Sequence, residues 1–183
     1  MAALAGEHPT FALVMARFDQ APMDASGRRL DAEHAMALAA RTLRRLLSER
    51  QRETDGEEEG AAFGRDMLMG RYSLNTLLAF HPGLCAAKAW TLYGELAARL
   101  NAELGVELAM GICCLPFLNF RAADAPECCR KALEYAILLP APHVGVFDSL
   151  ALNISADKKY SQGDQFGALE EYRLALLADE NNA

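Results

Sequence analysis

The chain has 183 residues, 52% hydrophobic and 23% charged, enough for one full domain with a core plus a short appendage. Its formal charge of −7 and pI near 5.1 argue against a nucleic-acid partner, since phosphate contacts need a basic surface and no Lys/Arg cluster dominates. No apolar run approaches the roughly 20 residues of a membrane span. Met1 is not followed by a basic, then long apolar, leader, so a cytoplasmic protein is expected.

In chain order, Phe11 to Phe18 (FALVMARF) is an apolar run interrupted by Arg17, as expected of a central strand covered on both faces. Gln20 to Arg29, with Pro22, Asp24, Ser26 and Gly27, reads as a loop. Asp31 can cap a helix whose apolar face carries Met36, Ala40, Leu43 and Leu47. The charged stretch Glu49 to Gly60 is expected to be a solvated loop. Asp66 to Tyr72 and Thr76 to His81 suggest a hairpin with its tip near Asn75, closed by Pro82 and Gly83.

Trp90, Tyr93, Ala97, Leu100 and Leu104 recur at three- and four-residue spacing, which predicts a helix over Ala86 to Glu103 laid on a core. Val106 to Leu115 reads as a strand, and Gly111 within it implies close approach of another backbone or a ligand. Pro126 suits the first turn of a helix running through Leu138, with Cys129, Ala132, Leu133 and Ala136 on its inner face. His143 to Phe147 makes a last short strand. The order β-α-β-β-α-β-α-β predicts an α+β sandwich on a mostly antiparallel sheet.

The five cysteines (Cys85, Cys113, Cys114, Cys128, Cys129) form two vicinal pairs and a single, unlike any disulfide framework. Adjacent cysteines on a strand point to opposite faces and there is no C-x-x-C, so reduced, packed thiols are expected rather than a metal site. His8, His34, His81 and His143 show no metal-ligand spacing and no identifiable nucleophile partner, so none is assigned a catalytic role. No cofactor is expected.

FALVMARFD, RYSLNTLLAFHP, AMGICCLP and KALEYA, in that order and spacing over residues 9 to 148, resemble the catalytic (GGDEF) domain of diguanylate cyclases, a ferredoxin-like nucleotide-cyclase fold. The resemblance also shows what is missing. Ser73, Leu74, Asn75, Thr76 and Leu77 align with the signature loop, where the family has two glycines that admit the nucleotide and an acidic residue. Arg17 aligns with the first metal-binding aspartate, while Asp19 matches the next acidic position. A guanine-reading Asn-Asp pair is absent from Gln20 to Gly27, with Asp24 the nearest candidate, and Ile137 stands where a lysine follows the KALEYA-type helix. The product-inhibition motif R-x-x-D is lacking, with only Arg65 and Asp66 before the signature loop.

Phosphoryl transfer depends on positioning and charge neutralisation, so these losses imply a catalytically degenerate domain. A class III adenylyl or guanylyl cyclase ancestry would need the same carboxylates and leads to the same expectation. Asp19, Asp66 and Asn75 would lie nearest a residual ligand cleft.

From Ser149, ISADKKYSQGDQFGALEEYRLALLADENN resembles one tetratricopeptide repeat, matched at Tyr160, Gly163, Ala168, Tyr172 and Ala175. Small Ala168 and Ala175 would let two helices approach, Gly163 would make the turn, and Tyr172 would fill the groove. The expected division is 1–148 and 149–183. One repeat cannot bury its apolar face alone, so an array continuing beyond Ala183, docking on the α/β domain, or a second copy must cover it; the first, with pairing through the exposed helix, is favoured.

The functional expectation is a non-catalytic signalling or scaffolding module of bacterial type with a protein partner at the repeat. The alternatives are a sensor that binds GTP or cyclic di-GMP without turnover and a divergent enzyme with relocated groups.

Overall fold

A computed structural model of the chain describes residues 10–24, 26–54 and 67–179. Its strands are β1 (Phe11–Phe18), β2 (Leu68–Arg71), β3 (Thr76–Pro82), β4 (Leu108–Leu115) and β5 (Val144–Val146). The helices are α1 (Ala32–Thr54), α2 (Ala86–Leu104), α3 (Ala125–Ala136), α4 (Ser149–Ser161) and α5 (Gln165–Ala178). The sheet order is β2-β3-β1-β4-β5, with β4·β5 parallel and the other pairs antiparallel.

The apolar run of β1 is explained by its central place. Ala12, Val14, Ala16 and Phe18 face a core shared with α1 and α2, whereas Phe11, Leu13 and Met15 face a second core formed with α3, α4 and α5. The period-2 alternation of a strand thus supplies both layers from one octapeptide. Cys113 and Cys114 divide in the same way: Cys113 is buried on the α3 side, and Cys114 packs against the α1/α2 side. The five cysteines carry free thiols.

Gly111 does mark a close approach. A Cβ there would stand 2.3 Å from the backbone nitrogen of Leu133 and 2.5 Å from the carbonyl oxygen of Cys129. Gly145 pairs with Gly111 across the β4–β5 ladder and would place a Cβ 2.6 Å from the carbonyl oxygen of Ala132. Two adjacent glycines therefore let the α3 backbone rest directly on the sheet. The Cys129 thiol follows it down, donating to the carbonyls of Leu13 (3.2 Å) and Gly111 (3.1 Å).

Several expectations need correction. Helix α1 does not dissolve at Glu49 but continues to Thr54. Its charged C-terminal half lies along α2, where Glu49 binds both Arg45 (2.6 Å) and Arg99 (2.6 Å) and Arg50 reaches Glu95 (3.4 Å). Residues 55–60 of the expected loop lie outside the described residues. The buried stripe of α1 is Ala35, Met36, Ala39, Leu43 and Leu46, with Ala40 and Leu47 at its margin.

On α2, Trp90 is 57% exposed; Ala89, Tyr93, Leu96, Ala97, Leu100 and Leu104 make the inner face. Helix α3 stops at Ala136 rather than Leu138, because the next amides bond three residues back, Leu138 to Tyr135 and Leu139 to Ala136, ahead of Pro140.

Under α2 lies a polar pair, the buried His81 imidazole bonded through Nε2 to the fully buried Tyr93 hydroxyl. Burial lowers the His81 pKa to about 4 and raises that of Tyr93.

Candidate functional site

The end of β1 and the β2–β3 tip are brought together, as the resemblance implies. Arg17 sits opposite Thr76 of β3 and Ala109 of β4, and the Phe18 amide donates to the Asn75 carbonyl at 3.2 Å. Beyond Met15 the helical cover runs out, so Arg17 is half-buried and its Nε turns to Asp19 Oδ1 at 3.3 Å. That ion pair commits the Asp19 carboxylate to a cation of the same chain.

The tip itself is closed by its own polar groups. Asn75 Oδ1 accepts from the hydroxyls of Ser73 (3.2 Å) and Thr76 (3.3 Å), and Arg71 Nε donates to the Ser73 carbonyl at 3.1 Å. The amides of Tyr72 and Ser73 are spent on the Thr76 carbonyl. No residue from 73 to 77 adopts a positive φ, Leu74 points to solvent, and Leu77 belongs to the core. Asp66 lies outside the described residues, as does Arg65.

Asp24 is likewise occupied. Its Oδ1 accepts from Ser26 N at 2.9 Å and Arg28 N at 3.0 Å, and hydrogen bonding from Ser26 and Arg28 holds its carboxyl below the usual range. Among the described residues no three His, Cys, Asp or Glu side chains are gathered in metal-binding geometry. Among the described residues, this end of the sheet presents the ion-paired Asp19 and a turn bonded to itself.

The opposite end of β1 faces a different feature. Leu115, opposite Phe11, leads into a segment that meets α3 and α5 around a cleft of about 640 Å³. Arg121, Asp124, Glu127, Lys131, Glu170 and Arg173 line it, three cations against three carboxylates.

Beside it runs the seam that joins the C-terminal hairpin to the rest. Lys131 and Glu171 are buried and meet at 2.8 Å, and Lys159 adds a second ammonium 2.6 Å from the same Glu171 Oε1. Burial alone would raise the Glu171 pKa, yet the two lysines hold it below the ordinary carboxylate range. Sequence reading missed this triad, since Lys131 falls within KALEYA and Glu171 stands 40 residues on, with no local signature.

Helices α4 and α5 form a hairpin with Gly163 at φ +87° in the turn and Asp148 and Asp164 capping the two starts. Ala168 and Ala175 are buried as expected, and the Tyr172 hydroxyl donates to Asp157 on α4. Tyr160, expected to pack, is 63% exposed. The inner face of the hairpin is covered by α3: Ala151, Leu152 and Ala175 share one core with Cys128, Cys129 and Leu133.

No family model matches the chain, and no curated protein sequence does either. Among solved structures, the chain is similar to the GGDEF domain of DgcB from Caulobacter crescentus, determined in complex with c-di-GMP. The two share 12% identity and a TM-score of 0.50 over 80% of this chain and 85% of that one. The likeness is one of fold, and no helix among the described residues is long and apolar enough to cross a membrane.

Proposed function

We propose that this chain is a non-catalytic signalling or scaffolding module, a degenerate GGDEF-like domain that lacks diguanylate cyclase activity and engages protein through a tetratricopeptide-like hairpin. The carrying observation is the end of β1, where Arg17 forms an ion pair with Asp19 and the Ser73–Asn75–Thr76 bonds close the turn. Metal-assisted phosphoryl transfer between nucleotides needs uncompensated carboxylates for the cation and open backbone for the phosphates. A guanidinium ion-paired with Asp19 opposes the first, and a glycine-free turn whose Tyr72 and Ser73 amides are already bonded opposes the second.

The protein-binding half of the reading rests on α5, whose outer side carries Phe166, Leu169, Leu176 and Leu177 in solvent. Incubation of the chain with GTP and Mg²⁺ or Mn²⁺, followed by chromatography of the nucleotides, tests the catalytic half. No cyclic di-GMP is expected, and its accumulation in proportion to protein would overturn the proposal.

A further inference from the structure

The cleft of about 640 Å³ at the Phe11 end of β1 has the size of a small-molecule site. Its walls are the segment after β4, the first two turns of α3, and α5. The charges on these walls balance, and four of the six are engaged within the chain. Asp124 Oδ2 accepts from the Arg121 amide at 2.8 Å and stands 3.6 Å from Arg121 Nε. Glu127 pairs with Arg130, and Lys131 with Glu171. Three polar side chains of the lining are left over: among the described residues, Asn119, Glu170 and Arg173 have no hydrogen-bond or ion-pair partner. On α3 the Glu127–Arg130 spacing of three closes into an ion pair; the same spacing on α5, Glu170 to Arg173, stays open. Apolar surface lies beside them. Phe120 and Leu174 are half-buried, and Phe120 is fixed against Phe117 and Phe147, with ring centroids 6.2 and 5.2 Å away. The chain reaches Asn119 and Phe120 through Leu118 at φ +45°, a conformation that costs a leucine energy.

We propose that this cleft binds a small zwitterion with an apolar side chain, of the α-amino acid class, between the α/β core and the C-terminal hairpin. The Arg173 guanidinium donates to the α-carboxylate, Glu170 accepts from the α-ammonium, and the Asn119 amide serves either group. The apolar side chain lies against Phe120 and Leu174. Positions three apart on a helix have Cβ atoms about 5–6 Å from each other, which suits opposite charges separated by a single carbon. Charge balance selects the class. A nucleotide or inorganic phosphate would bring net negative charge to a lining that carries as many carboxylates as cations, and a divalent cation would find Asp124 and Glu127 already engaged. A ligand of about ten non-hydrogen atoms is expected to dissociate at about 0.1–1 mM. The cleft lies at the other end of β1 from Arg17 and Asp19, so this site is independent of the nucleotide reading.

Titration of the ¹⁵N-labelled full chain with L-phenylalanine or L-leucine, followed by NMR to about 10 mM ligand, tests the proposal. Saturable shifts are expected at the amides of residues 119–124, 127–131 and 170–174. N-acetyl-L-phenylalanine, which has no ammonium, and L-phenylalaninamide, which has no carboxylate, should each bind at least tenfold more weakly than L-phenylalanine. Glu170 and Arg173 are exposed, so Glu170→Gln and Arg173→Gln should keep the fold by circular dichroism while each weakens L-phenylalanine at least tenfold. Arg173→Gln should also lose the preference for the free acid over its amide, which a merely structural role would not change. The absence of saturable shifts with both amino acids, equal binding of the blocked analogues, or affinities unmoved in both variants would overturn the proposal. Inorganic phosphate binding there more tightly than either amino acid would overturn it as well.

Discussion

The Lys131 ammonium stands 2.8 Å from Glu171 Oε1 across the seam between α3 and α5, with both side chains removed from solvent. A pair this deep ties the hairpin to the α/β core because either charge left alone is expensive. Glu171→Ala strands Lys131 inside and is expected to destabilise the fold by about 3–5 kcal/mol. Lys131→Met should cost less, because Lys159 still contacts the same oxygen. Urea unfolding gives the difference, and hydrogen exchange should show the loss first in α4 and α5. Equal costs for the two variants would contradict the assigned roles.

A second expectation concerns acid. His81 is held neutral by burial, with its pKa lowered from 6.5 to about 4, so the unfolded chain takes up its proton before the folded one. Its contribution is complete above pH 6.5, falls as the pH drops below that value, and levels off near pH 4. The loss amounts to about 3 kcal/mol at most. Denaturant midpoints from pH 8 to pH 4, compared with His81→Gln, should show a shallower decline in the variant over that window.

The third addresses the contact between α3 and the sheet. Gly111→Ala pushes a methyl into the backbone of Leu133 and Cys129, atoms that cannot rotate away. A loss of about 3 kcal/mol or more is expected, whereas Gly94→Ala, where nothing lies within 4 Å, should be neutral or stabilising. Thermal unfolding of the two variants provides the comparison.

Much of this architecture is legible in the residues. The apolar run of β1, broken only by Arg17, announces a strand buried on both faces, and Gly111 announces the close approach that α3 makes. What escaped has physical causes. Glu49 and Arg50 read as a solvated stretch because their partners, Arg99 and Glu95, lie on a helix distant in sequence. Trp90 fits the spacing of the inner stripe but sits at its edge and turns outward. The Lys131–Glu171 and His81–Tyr93 pairs join elements that meet only in three dimensions. At the candidate site, the meeting of Arg17 with the hairpin tip was implied by the family resemblance and by no local pattern. The bond from Arg17 to Asp19, and the closure of the turn on Asn75, required coordinates.

The central claim is that the end of β1 no longer takes a nucleotide, and thermal unfolding addresses it most directly. The chain is heated alone and with millimolar GTP or cyclic di-GMP, each with and without Mg²⁺. A ligand at about 100 times its Kd stabilises a fold by about 2.7 kcal/mol, roughly 5–10 °C for a chain of this size. The account expects the melting temperature to stay within about 1 °C in every mixture, well below that linkage shift. A reproducible rise of several degrees that is specific to one nucleotide would contradict it, and would point instead to a sensor that binds without turnover.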